Sequence, residues 1–201
     1  MNKFYIVLLC LLSACTPIKP TVTNQYKITS YSAKKELASP SSKSILISQP
    51  DAIAGYQTEQ MLYTDKPFQL SSFAHSSWIS PPANMLTPLI VQSLQHSHYF
   101  AAVAAGPNAD QTNYRIDTQL IALQQNFLVK PSILEFSVQI VLTHVSDRRV
   151  VASRTFNERI PCPTDTPYGG VIAANKAARA FTAALTQYVI NQIQQDRPVE
   201  S

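Results

Sequence analysis

The stretch ILEFSVQIVLTHV, residues 133–145, decides the fold. An apolar residue stands at every second position, and most of the positions between are polar; the apolar set is Leu134, Phe136, Val138, Ile140 and Leu142. Successive side chains of a strand point to opposite faces of a sheet, so this alternation predicts a long strand with one buried face.

The two neighbouring segments predict further strands. YRIDTQLIALQQNFL (residues 114–128) alternates apolar and polar residues from Tyr114 to Leu120, and the turn SDRR (residues 146–149) leads into VVASRTFNERI (residues 150–160). Parallel pairing requires a long crossover between strands, and these segments follow one another closely. They therefore predict an antiparallel meander of three strands.

A long helix is predicted to cover this meander. From about Gly170 to Gln195 the apolar residues recur at helical spacing, and Pro198 follows the helix. The stripe consists of Ala174, Ala177, Ala178, Phe181, Ala184, Leu185, Tyr188 and Val189. We expect the part with Phe181, Leu185 and Tyr188 to pack on the Leu134–Leu142 face; contact with a partner helix is the alternative use of the stripe.

The first half of the chain predicts shorter elements. Strands are expected at Tyr26–Ser30, at Ile45–Ser48, and at Met61–Thr64 and Phe68–Ser72 around a DKP turn, with Pro67 beginning the second strand of that pair. Ser80 is expected to cap a helix that begins at Pro81-Pro82. The apolar face of that helix is Met85, Leu86, Leu89, Ile90 and Leu94, and a strand begins near Val103.

These elements together predict one α+β domain. The expected architecture is a mixed, largely antiparallel sheet backed by two main helices. Hydrophobic residues make up 45% of the 201 residues and charged residues 14%, which is typical of a chain with a sizeable core. The net charge of +4 is mild, and no dense run of lysine and arginine marks a nucleic-acid interface.

The N-terminus predicts export and lipid anchoring. Lys3 precedes the apolar run Phe4–Leu12, which is shorter than the roughly 20 residues of a membrane-spanning helix. Leu12-Ser13-Ala14-Cys15 then resembles a bacterial lipobox, so we expect residues 1–14 to be removed and Cys15 to carry the lipid. The boundaries are a signal peptide at 1–14, a tether at 15–25, the domain at 26–195 and a tail at 196–201. An ordinary cleaved signal is the alternative.

The remaining side chains give no catalytic or metal-binding pattern. Catalytic, phosphate-binding and dinucleotide-binding motifs are missing from the sequence, so we expect no enzyme activity and no cofactor. His96 and His98 would diverge on a helix, and His144 continues the apolar face of its strand, so no metal site is expected. Cys162 has no intramolecular partner once Cys10 is removed and Cys15 acylated; it is interpreted as a free thiol, with an intermolecular disulfide as the alternative.

Trp78 is the only tryptophan. It is interpreted first as a packing anchor between a strand and a helix. Because tryptophan is favoured at interfaces, contact with a partner is the alternative, with Phe73 beside it as a second candidate contact residue.

The order of these segments resembles that of the ABC-type transport auxiliary lipoproteins, the PqiC-like (YmbA-like) group. The residues that carry the resemblance are the lipobox, YKIT (residues 26–29), GYQTEQMLYTDKPFQLSSFAHSSWISPPANML (residues 55–86), LEFSVQIVLTHVSDRRVVASRTF (residues 134–156) and the alanine-rich last helix. In the segment 55–86, Tyr56, Tyr63, Phe68 and Trp78 follow the order of aromatic residues in the family. The turn SDRRV lacks the glycine that is often found there.

The resemblance implies a non-catalytic lipoprotein that accompanies an ABC permease and ATPase with an MCE-domain protein, in systems that move lipids between the inner and outer membranes. Thr16, in place of aspartate after Cys15, indicates the outer membrane, facing the periplasm. The alternative is an outer-membrane lipoprotein that serves envelope assembly or secretion without an ABC partner. Self-association is left open.

Overall fold

A mixed sheet and two helices form the domain. The structure, a computed structural model, describes residues 23–36, 39–106 and 112–196. The strands are β1 (Asn24–Tyr26), β2 (Ser44–Ile47), β3 (Asp51–Ala52), β4 (Gln60–Lys66), β5 (Gln69–Trp78), β6 (Ala102–Ala105), β7 (Tyr114–Asn126), β8 (Ile133–His144) and β9 (Arg149–Pro161). The helices are α1 (Pro82–His96) and α2 (Pro167–Gln195). Among the described residues, neither helix is long and apolar enough to cross a membrane.

Strand β7 is the centre of the sheet. On one side it pairs in parallel with β2, β3 and β4, one after another along its length, and on the other it pairs antiparallel with β8. A bulge at Ile121 separates the pair Leu120–Val138 from the pair Ala122–Ser137. The extra residue moves the buried positions from the even series, which ends at Leu120, to the odd series, which begins at Leu123.

The meander of β7, β8 and β9 confirms the prediction from residues 133–145. Both ladders are antiparallel, and the predicted apolar face of β8 is buried throughout. In the turn from β8 to β9, Arg148 has a φ of 57°, the left-handed conformation that a glycine would adopt there more easily. Asp147 accepts a hydrogen bond from the backbone N–H of Arg149 (3.1 Å), which holds this turn without glycine.

Several boundaries in the first half differ from prediction. The first strand is Asn24–Tyr26 and not Tyr26–Ser30, because the next residues leave β5 and bind α2. Pro67 lies in the β4–β5 turn and not at the start of β5; Phe68, with a φ of 65°, completes that turn.

Helix α1 begins without the predicted side-chain cap. Its N-cap is Pro81, not Ser80, and no side chain caps it. Pro81 and Pro82 have no N–H groups, so fewer backbone donors at this end need an acceptor. Pro88 lies inside α1, on its exposed side, and the helix continues to His96.

Helix α2 begins three residues before the predicted start. Thr166 is its N-cap, and the side-chain oxygen accepts a hydrogen bond from the N–H of Gly169 (3.2 Å). A Cβ atom on Gly169 would lie 2.0 Å from the carbonyl oxygen of Thr164, so the chain approaches itself too closely here for a side chain.

Both helices cover one face of the sheet, and the core lies between the two layers. The rings of Phe136 and Phe156 each lie 5.5 Å from the ring of Phe181, centroid to centroid. Four fully buried alanines allow α2 to approach the sheet closely: Ala173, Ala174, Ala177 and Ala178. This packing confirms the predicted contact between β8 and the last helix. The opposite face of the sheet, which no described helix covers, is called the open face below.

Candidate functional site

The predicted site residues occupy different environments. Cys15 lies outside the described residues. Trp78 is 2% exposed and packs in the core, as the packing interpretation expects. Phe73 is half-buried and packs on the edge of the same core. Of the two candidate contact residues, only Phe73 is accessible in this structure, and its contact with a partner remains a prediction.

Phe73 belongs to a cluster of three aromatic rings. Its ring centroid lies 4.5 Å from that of Tyr63 and 6.2 Å from that of Phe127, and the Tyr63 and Phe127 centroids are 5.8 Å apart. The register of β4 and β5 shifts between the pairs Leu62–Ser72 and Gln60–Ser77, which places extra residues in β5 around Phe73. We call Tyr63, Phe73 and Phe127 the ring cluster.

Beyond the ring cluster, the end of the sheet exposes apolar side chains from two loops. Strands β4 and β7 are parallel neighbours, so they end at the same edge, and the N–H of Phe127 donates to the carbonyl oxygen of Thr64 (2.8 Å). Phe68 is fully exposed at the β4–β5 turn, and Leu70 follows it. Leu128 and Val129 are exposed in the β7–β8 loop. We call Phe68, Leu70, Leu128 and Val129 the apolar tip.

The apolar tip was not predicted from the sequence. The sequence predicts the DKP turn but places Phe68 in a strand; Leu128 ends the segment 114–128 that predicts a strand, and Val129 has no predicted role. A usable signal was present: KPF (residues 66–68) and LVKP (residues 128–131) both place apolar residues beside lysine and proline in a turn. The parallel pairing of β4 with β7, which brings the two turns together, has no local signature.

The opposite end of the sheet carries an ionic network. Arg149 donates to a carboxylate oxygen of Asp196 (2.7 Å), and the Tyr114 hydroxyl donates to the other oxygen (3.0 Å). His144 Nδ1 lies 2.9 Å from an oxygen of Asp147. These contacts join the end of α2 to the β8–β9 turn. His144, Asp147 and Arg149 therefore have a structural role.

The pKa values in this network follow from its contacts. Hydrogen bonds from the N–H of Arg149 and from His144 lower the pKa of Asp147 to about 2. Burial, together with the hydrogen bond to Asp196, raises the pKa of Tyr114 to about 12. Asp147 is therefore ionised and Tyr114 is neutral across the ordinary pH range, so both keep the charge state that the network requires.

Cys162 is 3% exposed, and burial raises its thiol pKa. This is the environment of an inert, free thiol, and an intermolecular disulfide would require the residue to become exposed. In the part of the chain that the structure describes, no three His, Cys, Asp or Glu side chains form a group that could hold a metal ion.

The open face of the sheet is polar. Next to the apolar tip, Gln124 and Asn126 donate to the carboxylate of Glu135, and Arg159 forms an ion pair with Glu135 at 3.2 Å. The side chains here are already engaged with one another. Of these surfaces, the apolar tip brings together four exposed large apolar side chains, which makes it a candidate contact surface.

The sequence model of the family described as ABC-type transport auxiliary lipoprotein component matches residues 26–186. No curated protein sequence has a significant match to the chain.

Solved structures share the fold. A Xanthomonas campestris protein of the domain family DUF330 superposes with a TM-score of 0.77 at 23% identity, covering 86% of this chain and 98% of that one. An uncharacterized protein superposes with a TM-score of 0.67 at 12% identity, covering 84% of this chain and 99% of that one. A hypothetical protein of Chlamydia trachomatis superposes with a TM-score of 0.52 at 8% identity, covering 74% of this chain and 98% of that one. At these identities the likeness concerns the fold alone.

Proposed function

Because the chain belongs to the family of ABC-type transport auxiliary lipoprotein components, we propose that it is the non-catalytic, lipid-anchored subunit of an MCE-type ABC system that moves lipids between the inner and outer membranes. The observation that carries the proposal is the family match across 26–186, which spans nearly the whole described domain. Membership of this family makes the chain a lipoprotein accessory component. The MCE-domain protein, the permease and ATPase, and the lipid cargo are the proposed specifics.

The anchor in this proposal is Cys15. It ends the lipobox, and the apolar run stands before that box, in the order that a lipoprotein signal requires. The proposed location is the outer membrane, facing the periplasm, because Thr16 and not aspartate follows the cysteine. In an enteric host, Thr16→Asp is expected to move the protein to the inner-membrane fraction of a density gradient. An unchanged distribution would argue against sorting by this position.

The domain is proposed to provide a docking surface and no chemistry. Few charged residues are available, so a few apolar and aromatic side chains would carry most of the binding energy. Phe73 is the proposed contact residue, because it is accessible while Trp78 supports the core beneath it.

The deciding experiment is a pull-down from detergent-solubilised membranes with the tagged chain. Recovery of MCE, permease or ATPase subunits, with raised outer-membrane permeability in a deletion strain, supports the proposal. Recovery of secretion or assembly proteins alone, with lipid distribution intact, would favour the envelope-assembly alternative.

A matched pair of variants locates the docking surface. Phe73→Ser is expected to lower recovery of the transport subunits by about tenfold or more, as truncation of an aromatic contact residue does. Ile79→Ser changes an exposed apolar residue just after β5 and is expected to leave recovery unchanged. Thermal melts of both variants separate a lost contact from a lost fold. Equal recovery with both would remove Phe73 from the interface.

A further inference from the structure

The chain enters the described domain at Thr23, from the side of the apolar tip. We propose that the tip rests on the membrane beside the anchor, with Phe68, Leu128 and Val129 inserted among the lipid headgroups. The inference rests on the proposed anchoring at Cys15 and goes beyond it, because it assigns a second membrane contact and a fixed orientation to the domain.

The direction of β1 places the tether on the side of the tip. β1 runs parallel to β5, with Asn24 beside Ser76. Because β5 runs away from the apolar tip, β1 does too, so the chain that enters Asn24 comes from the tip side. Ser77 lies opposite Gln60, and Gln60 is six residues of β4 from Lys66 at the tip, or about 20 Å.

The length of the tether allows both contacts at once. Eight Cα–Cα steps separate Cys15 from Thr23, and they span at most about 28 Å when extended. This exceeds the distance of about 20 Å from the start of β1 to the tip. A lipid on Cys15 and the apolar tip can therefore reach the same bilayer surface without strain in the domain.

The tip has the composition of a membrane-interface surface. Its apolar side chains are flanked by exposed Lys66 and Lys130, whose aliphatic stems can lie along apolar surface while the ammonium groups contact phosphates. Two carboxylates lie nearby: Asp65 is exposed, and Asp165 accepts a hydrogen bond from the N–H of Ser132 (2.7 Å). Because the local charges balance, insertion of the apolar side chains is the main source of attraction.

The tip is also held in shape before it meets a membrane. The ring cluster lies directly behind it, and the side chain of Asn126 accepts a hydrogen bond from the N–H of Leu128 (2.8 Å). Ordered loops lose less conformational entropy when they bind than disordered ones. The cluster of Tyr63, Phe73 and Phe127 therefore connects the tip to the edge of the core.

An orientation follows from the contact. With the tip on the bilayer, the end of the sheet with the Asp196–Arg149 network points away from the membrane, since it is the opposite end of β7 and β9. The open face, that far end and Phe73, which lies behind the tip, then remain accessible to a transport partner that spans the periplasm.

The test uses residues 15–201, which contain every described element and the whole core. The thiol of Cys15 is coupled to a maleimide lipid in vesicles of phosphatidylethanolamine and phosphatidylglycerol that contain brominated lipid; Cys162 is buried and stays unmodified. In the variant Phe68→Trp, emission is expected to shift to shorter wavelength and to be quenched. The parent emits only from buried Trp78 and should not be quenched.

Two further variants complete the test. Val150→Trp places the reporter on an exposed residue at the far end of the sheet and is expected to remain unquenched. Adding Leu128→Ser and Val129→Ser to Phe68→Trp should lower the ratio of inserted to free tips by at least about tenfold, since each apolar side chain withdrawn from water contributes to insertion.

Phe68→Trp emission that is unquenched, or quenched no more than that of Val150→Trp, would overturn the proposal. If Phe68→Trp is unquenched and tip variants lose transport subunits in the pull-down, the tip is a protein-docking surface and the membrane contact is wrong. The coupling is chemical, so the result does not depend on acylation of Cys15 in cells or on the identity of the transport partner.

Discussion

The ring of Phe181 joins the helix layer of the domain to the sheet. Its ring contacts both Phe136 and Phe156, and it is fully buried. Phe136→Ala and Phe181→Ala should each lower the free energy of unfolding by about 3–5 kcal/mol, because each leaves a cavity that the sheet and helix cannot close. Denaturant titration measures the loss, and Val150→Ala, at an exposed site, should change it little.

The two phenylalanine changes should not be additive. The rings touch, so removal of one already removes their mutual contact, and the double variant should lose less than the sum by about 0.5–1.5 kcal/mol. A double variant that loses the full sum would show that the rings act independently, which contradicts the packing described for β8 and α2.

Asp147 gives the domain a specific acid sensitivity. Its pKa in the folded state is about 2, below the ordinary value of 3.8, so its contribution to stability is present above pH 4 and is lost as the pH falls toward 2. Asp147→Asn should therefore be less stable than the parent at neutral pH and should lose less stability between pH 4 and pH 2.

Urea titrations at a series of pH values measure this effect. The pKa of Asp165 is also lowered, by hydrogen bonds from Ser132. The Asp147→Asn variant should therefore still lose some stability as the pH falls from 4 to 2. The double variant with Asp165→Asn should be flatter still. If Asp147→Asn follows the parent curve at every pH, the turn contacts do not hold the carboxylate in solution.

The segment 27–36 connects β1 to the helix layer. The side-chain oxygen of Asn175 accepts hydrogen bonds from the N–H groups of Thr29 (2.9 Å) and Ser30 (3.1 Å), and its amide donates to the carbonyl oxygen of Lys27 (3.2 Å). One asparagine of α2 thus replaces the backbone pairing that this segment gives up when it leaves β5.

Asn175→Ala should detach this segment. Loss of three hydrogen bonds, two of them on a shared acceptor, is expected to cost about 1–3 kcal/mol. Trypsin should then cleave faster after Lys27, Lys34 and Lys35, as followed by mass spectrometry. Asn191→Ala, an exposed asparagine on the same helix, should leave the cleavage rate unchanged. Equal rates in both variants would show that Asn175 does not fix the segment.

The sequence predicts the elements whose pattern of apolar residues is contained within one segment of the chain. The alternation in residues 133–145 and the helical stripe that contains Phe181 report burial directly, so β8, α2 and their contact follow from the sequence. The parallel pairing of β4 with β7 depends on residues about sixty positions apart. The apolar tip depends on that pairing, which is why Phe68 and Leu128 have no shared signal in the sequence.

The lack of a local signal also explains why the sequence could not decide between core packing and partner contact for Trp78 and Phe73. Five positions apart in one strand, they would be expected on opposite faces, and no residue type predicts the register shift that lets both pack on the core. An aromatic residue before a proline-rich helix start was therefore compatible with packing and with partner contact, and only burial separates the two residues.

In the whole protein, the proposed anchor at Cys15 is expected to provide the stable membrane attachment. Two or more acyl chains hold a protein on a bilayer, whereas one chain or a few apolar side chains give reversible binding. Cys15→Ala should therefore release the protein into the soluble periplasmic fraction, even with the apolar tip intact. Cys162→Ala, at a buried core position, should leave the protein in the membrane fraction, which makes it the matched control.

Cell fractionation of the parent and both cysteine variants, with mass spectrometry of the parent, tests the proposed anchor at Cys15. Release of Cys15→Ala, with acyl groups on Cys15 of the parent, is the expected outcome. A Cys15→Ala protein that still sediments with membranes, alongside a parent without acyl groups, would contradict the anchor. The tip experiment separates the remaining contributions, because it fixes Cys15 to lipid chemically. If the tip inserts there and Cys15→Ala is still released from cells, the anchor provides attachment and the tip provides orientation.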